Sequence, residues 1–202
     1  MHKYYMMFQK DVCMLYCNTF CKFSVLFSKV ATRLKSILVN AKASGYGRGE
    51  TVTAVILERV CDAQRVHAHL IYASTNCDGY KSQGITYPSW KAQANLIDRC
   101  YQQASIDPTE MHFFECHGTG TEVGDMEEVK AIWSILGKNR PHSNKPLLLG
   151  SIKSNLGHCE SASGLPSLIK CLLILKYKSI PPNLHYEQPS PRIPEFQNYL
   201  KV

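Results

Sequence analysis

The sequence predicts an α/β protein on a mixed sheet, and three observations carry that prediction. Segments with strand and helix patterning alternate along the chain, an order that packs helices against a sheet. The strand segment 111–116 is short and almost continuously apolar, as strands covered on both faces are. It and a second apolar strand, 146–152, each give way to a polar loop bearing a histidine, His117 in one and His158 in the other.

Residues 1–40 are rich in Met, Tyr, Phe and Cys, and their apolar runs are broken by Lys10, Asp11, Lys22, Lys29 and Arg33. No uninterrupted apolar span there reaches the ~18 residues of a membrane-crossing helix, so no transmembrane segment is expected. Residues 28–38 have the make-up of a short basic amphipathic helix that touches a membrane surface or a partner, of a packing helix, or of a misplaced gene start. Cys13, Cys17 and Cys21 recur at helical spacing but lack the paired C-x-x-C of a zinc site. They read as small buried apolar side chains.

After a glycine-punctuated loop from Ser44, residues 51–60 alternate Val52, Ala54 and Ile56 and are expected to form a strand. Residues 67–75 alternate likewise and put His67 and His69 on one face, a solvated pair with no third metal ligand near in sequence. Residues 76–79 have turn composition. Ser89 is placed to cap a helix running through Ala104, whose apolar stripe is Leu96, Ile97, Cys100, Tyr101 and Ala104. Asp107 and Pro108 end that unit, and 111–116 is the third strand. Residues 126–136 form the next helix: Glu127 and Glu128 favour its dipole from the first turn, and Val129, Ile132, Trp133 and Leu136 face inward. Gly137 stops it. Residues 138–145 are a polar connection and 146–152 the fourth strand. The last helix covers 160–177 with Leu165, Leu168, Ile169, Leu172 and Leu173 buried. Pro166 would interrupt it, so its start moves to Ser163 or Gly164, where proline falls in the tolerant first turn.

With 202 residues, 45% of them hydrophobic and 19% charged, the chain has the composition of an ordinary globular protein and not of a disordered one. Its net charge of +7 comes from scattered lysines and arginines, without the basic run or interleaved aromatics of a nucleic-acid surface. No nucleic-acid partner is expected. That field suits an acidic partner or a phosphate-bearing ligand. Nine cysteines are an odd number in a chain long for a disulfide scaffold and without a clear secretory signal, so reduced thiols in the cytoplasm are expected.

Residues 115–125 read ECHGTGTEVGD. Gly118 and Gly120 permit a sharp turn or the close approach of a ligand, and Thr119 and Thr121 offer hydroxyls beside it. HGTGT followed by GD, then GSIKSNLGH with ESASG, then IPPNLHYEQPSP, resembles the C-terminal part of the β-ketoacyl synthase domain of polyketide synthases and animal fatty acid synthases. SGYGRGE at 44–50 and NCDGYKSQGITYPS at 76–89 resemble the preceding segments of the same domain, so the likeness covers about residues 43–192. It divides the chain into a leader, 1–42, without family likeness, and a ketoacyl synthase part, 43–202. The resemblance implies a thiolase-like fold, layered α-β-α-β-α and here incomplete at both ends. It implies a cytoplasmic acyltransferase, dimeric in the complete parent, that condenses an acyl thioester with malonyl on an acyl carrier protein by decarboxylative Claisen condensation. Its substrates would arrive on the carrier's phosphopantetheine arm, with no cofactor or metal bound directly.

Decarboxylation of a malonyl thioester leaves an enolate whose oxygen needs hydrogen-bond donors aimed at it in a dry pocket. His117 and His158 look like the family's histidine pair that supplies them. Lys153 resembles the active-site lysine that orders the second histidine, and Thr119 and Thr121 correspond to threonines lining the phosphopantetheine tunnel. Asn155 and Glu160 are read as local loop and cap residues.

Condensation also needs a cysteine thiolate and an oxyanion hole. In the family the nucleophile stands in a Cys-Ser-Ser-rich motif ahead of the GYGRGE-like stretch, and no such motif occurs here. The glycine-rich Gly-Phe-Gly-Gly-Thr-Asn segment that follows in the family is not reached. Cys116 and Cys159 adjoin the histidines, but strand neighbours point to opposite faces, and neither lies in the nucleophile motif. Two functions follow: part of a ketoacyl synthase whose parent condenses acyl and malonyl units, or an inactive remnant that keeps the fold for dimer or carrier contacts. On either, the chain alone is expected not to condense.

Overall fold

The computed structural model describes residues 2–9, 22–30, 40, 45–141, 146–192 and 200–202, the first two stretches by their backbone course. β1 (His2–Gln9) pairs antiparallel with β4 (His69–Cys77), and β2 (Lys22–Val30) pairs antiparallel with β3 (Gly49–Ile56). β5 (Phe113–Glu115), β6 (Leu147–Gly150) and β7 (Leu200–Lys201) make a parallel sheet in that order. Antiparallel and parallel pairing therefore coexist, as the mixed pattern predicts.

The leader departs from expectation. Residues 28–30, assigned from sequence to an amphipathic helix, belong to β2, whose register with β3 runs from Lys22 opposite Ile56 to Val30 opposite Gly49. Pairing with a strand so distant in sequence satisfies the backbone N–H and C=O groups that a helix would have satisfied locally. Residues 31–38 and Cys13, Cys17 and Cys21 lie outside the described residues. β3 ends at Ile56, four residues before the expected boundary, because its partner's register ends there and a turn closed by Asp62 N–H on Arg59 O follows.

α1 (Trp90–Ala104) begins where the Ser89 hydroxyl accepts from Ala92 N–H at 3.3 Å, and it ends on Ser105 in the left-handed region. All five residues of its predicted stripe are buried. They pack with Val129 and Ile132 of α2 (Glu122–Ile132), with Leu136 of the wide turn that follows it, and with Leu147 and Leu149 of β6 into the main core. Burying each such Leu or Ile is worth roughly 1.5–3 kcal/mol, so this cluster anchors the strand ends that matter below.

α2 starts a turn earlier than the sequence suggests. Its first helical bond is Asp125 N–H to Thr121 O, and Gly124, inside that turn, leaves room for the Thr121 hydroxyl that a Cβ would strike. The helix closes at Gly137 with one wide turn, Lys138 N–H reaching Trp133 O at 2.8 Å. A Cβ on Gly137 would stand 2.8 Å from the Trp133 indole, so the absence of a side chain there is steric.

Beyond β6 come a short helix, α3 (Lys153–Leu156), a 3-10 turn at Glu160–Ala162, and α4 (Gly164–Tyr177). α4 begins where the proline argument puts it, with Pro166 in the first turn. Leu168, Ile169 and Leu172 pack it against Ala68 and the half-buried Val55 of β3. Among the described residues, no helix is long and apolar enough to cross a membrane.

Candidate active site at two adjacent strand ends

Because β5 and β6 are parallel neighbours, their carboxyl ends lie side by side, the edge where open α/β sheets present ligands. Cys116 N–H donates to Gly150 O at 2.7 Å, extending the ladder by one residue before the chain leaves the sheet as His117. The loop then folds onto the start of α2. His117 N–H and Gly118 N–H donate to the two carboxylate oxygens of Glu128 at 2.6 and 2.9 Å, and Gly120 N–H donates to Asp125 Oδ1 at 3.1 Å. Gly118 and Gly120 take φ of 47° and 85°, in the left-handed region that other residues enter at a cost. From the β6 side, the Ser151 hydroxyl reaches the carbonyls of His117 and Gly118 at 3.3 and 3.2 Å.

The second histidine is held differently. His158 forms an isolated parallel bridge with Arg48: its N–H donates to Gly47 O at 2.7 Å, and its carbonyl accepts from Gly49 N–H at 3.1 Å. Gly157 turns the chain into this bridge at φ 76°, and a Cβ on it would lie 2.8 Å from Gly47 O. A Cβ on Gly49 would overlap Leu156 O. Gly45 N–H reaches across to Gly120 O at 2.9 Å, so residues 45–49 stitch the two histidine loops together.

The outcome is a pair of imidazoles with ring centroids 5.1 Å apart and planes at 87°. Tyr46 and His158 pack in a T shape, with ring centroids 5.0 Å apart and planes at 71°. His158 is 6% exposed, whereas His117 faces solvent on one side. Burial, reinforced by the nearby charges of Lys153 and Arg48 and opposed by Glu160, holds the His158 pKa below the ordinary imidazole value. The ring is therefore neutral, with one N–H to donate. Lys153 is 2% exposed. Burial lowers its pKa, and the carboxylates of Glu128 and Glu115 work against that loss.

Each sequence-predicted residue can now be located. His117, His158 and Lys153 converge on the β5–β6 edge. Thr119 and Thr121 stand with their hydroxyls 3.2 Å apart, bonded to each other, Thr119 buried and Thr121 half-buried. Glu160 does not cap α4; it pairs with Arg48 at 2.9 Å. Asn155 accepts from the Ser154 hydroxyl at 3.1 Å. Cys116 and Cys159 are buried, and burial raises both thiol pKa values, for Cys116 with the help of the Glu128, Glu115 and Asp125 carboxylates. Neither is set up as a thiolate nucleophile. His67 and His69 are half-buried, and the described residues hold no cluster of His, Cys, Asp or Glu suited to a metal.

Sequence reasoning missed the carboxylates. Glu127 and Glu128 read as dipole partners of their own helix, yet Glu128 holds the His117 loop and Glu127 accepts from Trp90 N–H at 3.0 Å. Asn183 also escaped notice: its amide accepts from Ser151 N–H at 3.0 Å and donates to Leu149 O at 2.9 Å, fixing the end of β6. The available signal was acidic side chains one turn beyond a glycine loop rich in unbonded N–H groups. A cavity of about 590 Å³ lies between β3 and α4, lined by Thr51, Thr53, Ile169 and Leu173, and contains neither histidine. The histidine pair, by its chemistry, marks the candidate site.

Comparison with known proteins agrees with this geometry. A family model described as beta-ketoacyl synthase, C-terminal domain, matches residues 67–187. Highly reducing polyketide synthase Preu1 of Preussia isomera is 47% identical over 163 residues, which are 79% of this chain and 7% of that protein. Highly reducing polyketide synthase sor1 of Hypocrea jecorina is 42% identical over 172 residues, 83% of this chain and 6% of the relative. Among solved structures, the ketosynthase from module 1 of the bacillaene synthase of Bacillus amyloliquefaciens FZB42 matches with a TM-score of 0.72 and 31% identity, over 82% of this chain and 30% of that one. The chain thus spans a small part of the curated relatives it matches. Its fold is the thiolase-like fold of the ketosynthases, and the chain belongs to the β-ketoacyl synthase C-terminal domain family, as found in polyketide synthases.

Proposed function

We propose that this chain supplies the decarboxylating half of a ketosynthase active site, in a cytoplasmic, dimeric polyketide-forming acyltransferase that extends an acyl thioester with malonyl carried on an acyl carrier protein. One observation carries the reading: two imidazoles 5.1 Å apart, at adjacent parallel strand ends. When the malonyl carboxylate leaves as carbon dioxide, its electron pair passes to the thioester as an enolate. His117 and His158 donate N–H groups to the enolate oxygen, and that interaction strengthens as the charge develops. A neutral donor suits the step, because an imidazolium would hand its proton to the enolate and quench the nucleophile. Burial and the Lys153 charge favour that neutral form at His158.

The enolate carbon then attacks an acyl thioester carried on a cysteine. That cysteine is neither Cys116 nor Cys159, whose burial suppresses the thiolate. The Thr119 and Thr121 hydroxyls, by exchanging their mutual bond for the arm's amides, contact the carrier's phosphopantetheine. No cofactor is needed beyond that arm. In a polyketide synthase containing this chain, His117→Ala should lower carbon dioxide release from malonyl carrier protein by about 100- to 1,000-fold, the effect of removing one oxyanion donor, and leave radiolabelled acyl loading largely intact. Undiminished carbon dioxide release would overturn the assignment.

A further inference from the structure

A buried ion pair joins the strand that ends in His117 to α4. Lys170 Nζ of α4 meets Glu115 Oε2 at 2.8 Å, and each side chain is 5% exposed. The other carboxylate oxygen, Oε1, accepts from Ile152 N–H at 2.6 Å. Glu115 stands two residues before His117 on β5, and Ile152 directly precedes Lys153 on the segment leading to His158. One carboxylate therefore spans three elements: the strand that ends in the first histidine, the turn that begins the lysine and second-histidine segment, and α4.

Space for the pair is built into the sheet. Gly150 lies opposite Glu115 in the β5–β6 register, and a Cβ there would come within 2.8 Å of both Lys170 Nζ and the Phe113 ring. The same ring lies 5.3 Å from the ammonium. Burial pushes the Glu115 carboxyl upward, and Lys170 is the strongest influence holding it down. Stability alone gives little reason to bury such a pair, since well-packed apolar replacements are often as stable. Direction is what the pair adds: one oxygen accepts from the Ile152 N–H and the other faces the Lys170 ammonium.

We infer that Glu115 and Lys170 are a positioning pair that fixes the spacing between the His117 loop and the Lys153–His158 segment. The inference rests on the reading of the two histidines as the working pair. The test is NMR of the full 202-residue chain, following the ring resonances of His117 and His158, the contact between the two rings and the cooperativity of melting. Glu115→Met with Lys170→Met removes both charges and the acceptor; it should melt cooperatively yet shift both histidine resonances and lose the inter-ring contact. Glu115→Gln with Lys170→Met retains an acceptor for Ile152 N–H and should retain the contact. A cooperatively melting Met/Met variant with wild-type resonances and contact would overturn the proposal.

Should neither double variant melt cooperatively, the wild-type chain decides. An Ile152 amide that exchanges as slowly as that of Leu149 in β6 supports the clamp, and one that exchanges as fast as the amides of exposed loops sinks it. Carbon dioxide release from malonyl carrier protein, measured on a polyketide synthase containing the chain, separates the two readings. Its absence would defeat the functional assignment, while resonances and exchange still report on the pair.

Discussion

His117 leaves the end of β5 directly and His158 follows β6 by way of α3, but charge holds the first loop and backbone shape holds the second. Three N–H groups of the His117 loop are given to the carboxylates of Glu128 and Asp125. The backbone of His158 instead bonds to Gly47 and Gly49, with Gly157 turning it into place. The exposed histidine has the ionic mooring and the buried one the steric mooring. A loop beside solvent gains from charge-assisted bonds, which are short and directional. A loop packed against other backbone gains from glycine, which lets two chains approach within hydrogen-bond distance.

The sharpest way to break this contrast is Gly157→Ala. Its Cβ has backbone for a neighbour and its φ of 76° is hostile to side chains, so strain and overpacking together should cost about 4 kcal/mol. Denaturant melting measures this, and a variant as stable as wild type would show that shape does not hold the second loop. Next in size is Glu128→Ala, which strands the His117 and Gly118 amides and should cost about 3 kcal/mol. A displaced His117 should also slow decarboxylation by about 100-fold. Glu128→Gln, with one acceptor oxygen left, should fall between wild type and Ala in both measurements. Equal effects of Gln and Ala would mean that size, not bonding, is what matters there.

The smallest effect is a pH dependence confined to the buried ring. The folded pKa of His158 lies below the ordinary 6.5, so below that value the unfolded chain binds a proton that the folded chain refuses. The stability it contributes is complete above about pH 6.5 and is lost as pH falls through the folded pKa. Glu115 acts in the opposite sense: its carboxyl is raised above 4.5, so its contribution is full below that value and declines as pH rises through the folded pKa. Comparing wild type with His158→Gln isolates the histidine. The variant should lose less stability on acidification, and identical slopes would remove the buried ring from the account.

The halves of the molecule differ in how far their sequence announces them. The α1 stripe, the α4 start and the histidine-bearing strand ends follow from local periodicity, capping and proline geometry, and these match the structure closely. α3 has four residues, too few for any period to show. β1 and β2 owe their form to partners some tens of residues away, which no local window reports. In the site, His117, His158 and Lys153 were visible because loop chemistry and family motifs mark them. Glu128 was visible only as a helix-start residue, because acidic side chains near the beginning of a helix satisfy a local rule as well as a tertiary one. Glu115 sits within a strand pattern that gives no hint of Lys170, which lies beyond α2, β6 and α3 on α4.

Gly150 has a consequence for how this sequence can drift. Any side chain there would press on Lys170 and Phe113 together, so residue 150 can grow only if 113 and 170 shift or shrink. Trimming Phe113 first opens a hole in the sheet face, and trimming Lys170 first leaves the Glu115 carboxylate without its cation. Every one-step route therefore descends before it climbs. The three positions should change hands as a set: a library that varies them jointly should recover folded combinations that libraries varying each alone discard.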